Sequence, residues 1–186
     1  HDPGKILKYI VLNEEDPVIF IEHKLLYPLT LVTQSSENIY VKYEYDKTNY
    51  PIAVVKNYKD DRKPDIILAS YGGMSYLIET LLRDLYKDEI YITAFLPSQI
   101  SNTSVDFLSK YIQKCGKVLI IEEGAGPFGW SSEIASQIYE RYFKYIEKPI
   151  ARITSFRSII PAAKHLEYNV LPNLDKIKKT IEEMLV

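Results

Sequence analysis

The chain has 186 residues, and 23 Lys or Arg against 25 Asp or Glu give it a formal net charge of −2. Its length allows one domain with part of a second, and its 46% apolar content is typical of a globular protein. The near-neutral charge without a basic stripe argues against nucleic acid or a membrane surface as a partner, and no apolar run approaches the ~20 residues of a spanning helix.

One cysteine and the first residue bear on where the protein works. Cys115 has no second cysteine to pair with, so we expect a buried core residue in a protein of the reducing cytoplasm. No signal-peptide pattern is visible in the first residues. Because the chain begins with His1 and not with Met, we expect a piece of a longer protein, with chemistry encoded upstream.

The first third of the chain alternates between helical and strand patterns. Apolar residues at helical spacing predict a helix over 4–12, and the apolar run 17–23 predicts a buried strand after it. Alternation over 38–46 and 50–57 predicts a strand pair with a turn at Asp46–Asn49. The stretch 28–37, which contains Pro and Ser, is the candidate domain boundary.

From residue 65 onward, short apolar runs alternate with amphipathic helical patterns. Thr103 and Asp106 have the spacing of a capping box that opens one of these helices. The predicted strands are 65–71, 89–96, 117–123 and 149–155, with a helix after each of the first three and a terminal helix around 174–185. This order predicts an α/β fold with a mainly parallel sheet that helices cover on both faces.

A G-x-G-x-x-G motif occupies Gly124–Gly129, between an apolar run and a helical pattern. That context is typical of a dinucleotide-binding turn. However, Glu122 and Glu123 would repel a diphosphate, Pro127 removes an N–H donor, and the motif follows the third strand of the α/β run, not the first. No acidic residue follows strand 149–155 to bind a ribose, although Arg157 there could serve a 2′-phosphate. We therefore interpret the glycines as a tight strand-to-helix connection.

A second glycine pair, Gly72-Gly73, opens the first helix of the α/β run. It lacks the Lys and Ser/Thr of a phosphate loop, so a structural turn is the favoured interpretation.

For the G-x-G-x-x-G motif, we expect Gly124→Ala and Gly126→Ala to lower stability or dimerisation without changing the affinity for any nucleotide.

Histidines and acidic residues supply the remaining candidate chemistry. His23 stands beside Glu22, and His165 stands two residues before Glu167. Neither has metal-ligand spacing, so an orienting hydrogen bond at an interface is favoured over acid–base work. The acidic run Glu14–Asp16 at a helix end is either a solvated turn or a site for a hard cation. The 16 tyrosines fit core packing or a protein interface.

Four phrases in the chain carry a family resemblance: DPVIFIEHKLLY, DIILASYGGMSYLIETLL, KVLIIEEGAGPFGWSSEIAS and LEYNVLPNLDKIKKTIEEML. In this order they resemble the C-terminal half of the beta subunit of thiamine-diphosphate-dependent 2-oxo acid dehydrogenases, within the transketolase C-terminal domain family. The resemblance implies a three-layer α/β/α domain with a mixed, mainly parallel sheet over 28–186. Residues 1–27 resemble the last helix and strand of the preceding pyrimidine-binding domain.

The resemblance also implies an activity, which is the oxidative decarboxylation of a 2-oxo acid on thiamine diphosphate with Mg. The family's catalytic residues lie upstream, so we expect no catalytic or cofactor-binding residue here and an inactive isolated chain. Implied partners are a second copy, an alpha-type thiamine-binding subunit or domain, and an acyltransferase core. Val11, Glu14 and Asp16 match a backbone site for a monovalent cation. The implied interface residues are Glu22, His23, Tyr27, Glu122, Glu123, Phe128 and Trp130.

Three positions depart from the family pattern. Pro28 replaces an Arg, Ala94–Leu96 replaces Asp-Leu-Arg, and Phe156–Pro161 replaces a turn rich in Asp and Pro. These departures leave open a transketolase-like transferase fragment and a non-catalytic interaction module of the same fold. The glycine motif leaves a third alternative, a nucleotide-binding domain.

Overall fold

The computed structural model describes residues 2–30, 35–36, 38–45, 49–59 and 61–186. Its strands are β1 (Tyr40–Tyr45), β2 (Pro51–Lys56), β3 (Ile66–Ala69), β4 (Ile92–Pro97), β5 (Val118–Ala125) and β6 (Ala151–Ser155). Its α-helices are α1 (Pro3–Asn13), α2 (Met74–Lys87), α3 (Ser109–Ile112), α4 (Trp130–Tyr142), α5 (Lys164–Val170) and α6 (Leu174–Leu185). Three short 3₁₀ helices lie at Lys24–Leu26, Asp106–Leu108 and Phe143–Tyr145.

The six strands form one mixed sheet in the order β1-β2-β4-β3-β5-β6. Strands β3, β4, β5 and β6 are parallel to one another. Strand β2 is antiparallel to both β1 and β4, so the strand pair predicted over 38–57 forms one side of the sheet. Of its predicted turn at Asp46–Asn49, residues 46–48 lie outside the described residues.

Helices cover both faces of the sheet because its central strands are apolar on both sides. In β3, Ile66 and Leu68 pack with the helices α2 and α6, while Ile67 and Ala69 pack with α3 and α4. Each buried apolar side chain removes hydrophobic surface from water, which is the main favourable term in folding. The three-layer α/β/α fold predicted from the sequence is therefore confirmed.

The strand predicted over residues 17–23 is wrong. The segment has no regular secondary structure, and Ile19 and Ile21 are 88% and 74% exposed. An apolar run becomes a buried strand only where neighbouring strands pair with its backbone, and none of the described strands pairs with this one. Helix α1 is present as predicted but has no buried residue. Its C-cap residue, Glu14, accepts a hydrogen bond of 2.6 Å from Tyr50, which directly precedes β2.

The predicted capping box is also wrong. Thr103 donates to the carbonyl of Gln99, and the 3₁₀ turn at Asp106 follows Val105 without a side-chain cap. The Thr103 hydroxyl also accepts a hydrogen bond from the indole N–H of Trp130 at 3.2 Å. The interpretation of Cys115 as a core residue is confirmed, since it is 1% exposed and burial raises the pKa of its thiol.

Candidate functional site

The carboxyl ends of β3 and β5 mark the place where open α/β sheets hold ligands. From β3 the chain crosses through α2 to β4 on one side, and from β5 it crosses through α4 to β6 on the other. The crevice between two such diverging connections is the usual binding position in this class of fold. Tyr71 and the Gly72-Gly73 pair follow β3 there, while Glu122 and Glu123 stand near the end of β5. The two glycine turns singled out in the sequence thus meet at one crevice.

Glu122 caps the first turn of α4 with its carboxylate. Its oxygens accept hydrogen bonds from the backbone N–H groups of Trp130 (3.0 Å) and Ser131 (2.9 Å). The residue is 4% exposed. A negative charge at this point satisfies free N–H donors and is favoured by the helix dipole. The carboxylate of Glu122 therefore occupies the position that a bound phosphate takes in a dinucleotide-binding fold.

The glycines of the G-x-G-x-x-G motif make room for this arrangement. A Cβ atom added at Gly129 would lie 2.5 Å from Oε2 of Glu122, and one at Gly124 would lie 2.9 Å from Oε1. A Cβ atom at Gly126 would lie 2.7 Å from the hydroxyl oxygen of Thr154. The motif thus accommodates the protein's own carboxylate, and this geometry favours the structural interpretation of the glycines over nucleotide binding.

Tyr71 and Trp130 cover the buried carboxylate. The Tyr71 hydroxyl donates to Glu122 at 3.2 Å, and its ring meets the Trp130 ring edge to face with centroids 5.0 Å apart. Burial and the adjacent charge of Glu122 raise the pKa of Tyr71 to about 12. The hydroxyl consequently stays protonated at neutral pH and serves as a hydrogen-bond donor.

His23 reaches the same crevice from the N-terminal segment. Its Nε2 atom lies 3.5 Å from Oε2 of Glu123, with the two side chains 32% and 40% exposed. Adjacency in the sequence suggests a pair of His23 with Glu22, but Glu22 instead accepts a hydrogen bond from Tyr27 at 2.7 Å. Adjacency in the chain gave no sign of the contact with Glu123, which is 100 residues away.

Arg152 on β6 is a member of this region that the sequence patterns did not reveal. Its guanidinium donates to the carbonyl of Gly126 at 2.6 Å and to the hydroxyls of Ser131 and Ser132 at 3.1 Å and 2.7 Å. These bonds hold the loop before α4 against β6. No spacing rule could have signalled them, since they join residues about 20 positions apart through the register of β5 with β6.

The other predicted site residues lie apart from the crevice. Val11, Glu14 and Asp16 are exposed around the end of α1, and the Glu14 carboxylate accepts from Tyr50. His165 is exposed on α5. Within the described part of the chain, no group of three or more His, Cys, Asp or Glu residues is arranged to hold a metal ion. The monovalent-cation site at the end of α1 therefore stays a prediction.

The predicted interface residues differ widely in exposure. Phe128 is fully exposed and Tyr27 is 64% exposed, whereas Glu122 is buried beneath Trp130 and Tyr71. Phe128 also has a φ of 60°, in the left-handed region that non-glycine residues rarely adopt. An exposed aromatic ring on strained backbone distinguishes this loop from the rest of the carboxyl edge.

Known families and solved structures were found that resemble this fold. The model of the family described as transketolase, C-terminal domain, matches residues 56–177, which is more than half of the chain. The chain belongs to the transketolase C-terminal domain family. Its match covers β3 to β6 and the crevice at their carboxyl ends, and the resemblance drawn from the four phrases is confirmed.

Relatives of this transketolase C-terminal domain include dehydrogenase subunits. The pyruvate dehydrogenase E1 component subunit beta of Staphylococcus epidermidis is 25% identical over 175 residues, covering 92% of this chain and 50% of that protein. The mitochondrial 2-oxoisovalerate dehydrogenase subunit beta of Dictyostelium discoideum is 28% identical over 175 residues, with coverages of 91% and 44%. The chain therefore spans about half the length of the curated relatives that it matches.

A solved structure supports the fold of the domain. The split gene transketolase, an inactive beta4 tetramer, superposes with a TM-score of 0.58 at 14% identity, covering 67% of this chain and 40% of that one. Identity this low supports the shared architecture alone. No described helix of the chain is both long and apolar enough to cross a membrane.

Proposed function

We propose that the chain is the interface-forming C-terminal portion of a thiamine-diphosphate-dependent enzyme of the 2-oxo acid dehydrogenase type. It resembles the beta subunits of such enzymes over about half of their length. In this proposal the oxidative decarboxylation takes place on residues outside the chain, and the chain alone is inactive. Residues 1–27 then belong to a preceding pyrimidine-binding domain, whose sheet supplies the strand partner for the exposed run 17–23.

The described residues do not fit the cofactor that the family implies. A diphosphate with Mg requires positive charge, free N–H donors or carboxylate ligands for the metal ion. At the crevice, Glu122 already occupies the free N–H groups at the start of α4 and brings negative charge to that position. We therefore propose that thiamine diphosphate and Mg are held by an alpha-type subunit or domain.

The single observation that carries the interface role is the state of Phe128. A fully exposed phenyl ring on a residue with a φ of 60° is unfavourable for two reasons. It leaves apolar surface in water, and it holds the backbone in a strained region. Strain of this kind is typical of positions where a side chain serves a function. A partner surface that buries the ring would offset both penalties.

Sedimentation equilibrium of the purified chain tests this proposal with two matched variants. Phe128→Gly removes the ring and relieves the strained φ, so we expect self-association about tenfold weaker, the loss typical of an interface anchor, in a monomer whose stability is not reduced. Phe143→Ala removes a ring that is 71% exposed beyond the far end of α4, at the opposite edge of the sheet, and should leave association unchanged. Equal dissociation constants for wild type and Phe128→Gly would contradict the proposed interface.

Co-purification tests for the two proposed assembly partners. We expect the longer protein that contains this chain to bind an alpha-type thiamine-dependent subunit, and an acyltransferase core beyond it. Assays of the assembled protein for decarboxylation of 2-oxo acids and for ketol transfer distinguish a dehydrogenase from a transketolase-like enzyme. Assembly without either activity would favour the non-catalytic module, the alternative motivated by Pro28 and by the altered turn Phe156–Pro161.

A further inference from the structure

Gly73 has a conformation that does not require glycine. Its φ of −59° and ψ of −24° are helical values that any L-residue adopts, and it is the residue that precedes α2. A side chain at this position would nevertheless collide with His23, because an added Cβ would lie 2.5 Å from Cδ2 and 2.7 Å from Nε2 of the imidazole. The absence of a side chain at residue 73 is thus explained by the ring that lies on it.

The neighbouring glycine provides the contrast. Gly72 has a φ of +60°, so its backbone conformation favours glycine, but an added Cβ there would have no atom within 4 Å. One glycine of the pair therefore serves the turn, and the other serves the contact with His23. The sequence alone cannot separate these two roles.

One polar contact orients the imidazole of His23 above Gly73. Its Nε2 atom faces Glu123 at 3.5 Å. Its Nδ1 atom is buried and has no hydrogen-bond partner among the described residues. The ring is thus oriented by its contact with Glu123 and by its packing on Gly73.

We propose that Gly73 and Glu123 form a seat for the imidazole of His23, which fastens the connecting segment 22–27 across the carboxyl ends of β3 and β5. The switch-point crevice of the sheet then holds the protein's own chain: Glu122 fills the start of α4, and His23 covers the strand ends. The seat holds the segment 22–27 against the strand ends, whether or not the protein assembles through Phe128.

Hydrogen exchange of the segment 22–27 tests the seat directly. The N–H groups of Leu26 and Tyr27 bond within the segment, and that of Leu29, just beyond it, bonds back to Leu26. All three amides report whether the segment is held. We expect Gly73→Ala and His23→Ala each to speed their exchange about tenfold, the change that losing one local contact typically gives. In the His23→Ala background, Gly73→Ala should add nothing, because the ring it would displace is already gone.

Gly72→Ala is the matched control. It strains a positive φ and should lower the stability of the sheet, yet it should leave the exchange of the three amides at the wild-type rate. Gly73→Ala should do the reverse, since alanine suits a helical φ. Unchanged exchange in Gly73→Ala, or the same acceleration with and without His23, would overturn the seat.

Discussion

The sheet domain over 38–186 and the N-terminal segment over 2–30 use apolar residues in opposite ways. In β3, all four residues from Ile66 to Ala69 are at most 1% exposed. In the segment, Ile19 and Ile21 are 88% and 74% exposed although their run is equally apolar. An apolar run in a sequence therefore indicates that a partner surface is needed, but the identity of that surface depends on which strands are within reach.

Their helices differ in the same way. Helix α2 buries Ile78, Leu81, Leu82 and Leu85 against the sheet, whereas α1 buries none of its residues. Tyr9 of α1 and the C-cap residue Glu14 contact Tyr50 at the surface, through the two tyrosine rings and the Glu14 carboxylate. Surface contacts of this kind contribute little, so the stability of the chain should reside almost wholly in the sheet domain.

The largest expected effect compares one isoleucine from each region. Ile120→Ala in β5 opens a cavity in a fully buried site and should lower the free energy of unfolding by about 2–5 kcal/mol. Ile21→Ala in the segment should change it by less than about 0.5 kcal/mol, because its side chain is already in water. Urea denaturation of both variants measures the difference. A large loss in Ile21→Ala would mean that the segment is folded into the core.

Adjacent glutamates give the next largest contrast. Glu122→Ala removes the acceptor for the N–H groups of Trp130 and Ser131, and it should lower stability by about 1–3 kcal/mol, the penalty for buried donors left without a partner. Glu123→Ala removes a side chain that is 40% exposed, and we expect less than about 1 kcal/mol. Thermal unfolding at neutral pH compares the two. Similar losses in both variants would contradict the capping role of Glu122.

The fold was predictable from the sequence where local pattern and partner coincide. The runs in β3 to β6 and the helices α2, α4 and α6 could be identified because each element buries its apolar face within the sheet domain, so its local pattern matches its environment. The site was predictable only in part. The glycines and Glu122 stood out as a motif, but the seat of His23 joins residues 50 and 100 positions apart, and no local spacing encodes such a contact.

A smaller effect is expected from the ion cluster on β1. Burial raises the pKa of Glu44, but hydrogen bonds from Lys110 and Tyr111 outweigh it, and the net pKa lies below the ordinary 4.5. A carboxyl group with a lowered pKa stabilises the folded state above that ordinary value and loses the contribution as the pH falls through the lowered pKa. We expect the loss to be about 1 kcal/mol in unfolding measured from pH 6 downward. Glu44→Gln should flatten this part of the profile, and an unchanged slope would show that the cluster does not contribute.

The smallest expected effect comes from the largest change, the removal of residues 1–27. Since α1 buries no residue and no residue of 17–23 belongs to either apolar cluster, the remaining chain keeps both clusters of the sheet intact. Its free energy of unfolding should stay within about 0.5 kcal/mol of the full chain, and its urea transition should keep the same steepness, because the surface exposed on unfolding is nearly the same. A broadened transition, or a loss of several kcal/mol, would mean that the two regions form one cooperative unit. On a longer protein that included the proposed pyrimidine-binding domain, the same measurement should give the opposite result, since there the run 17–23 would have strands to pair with.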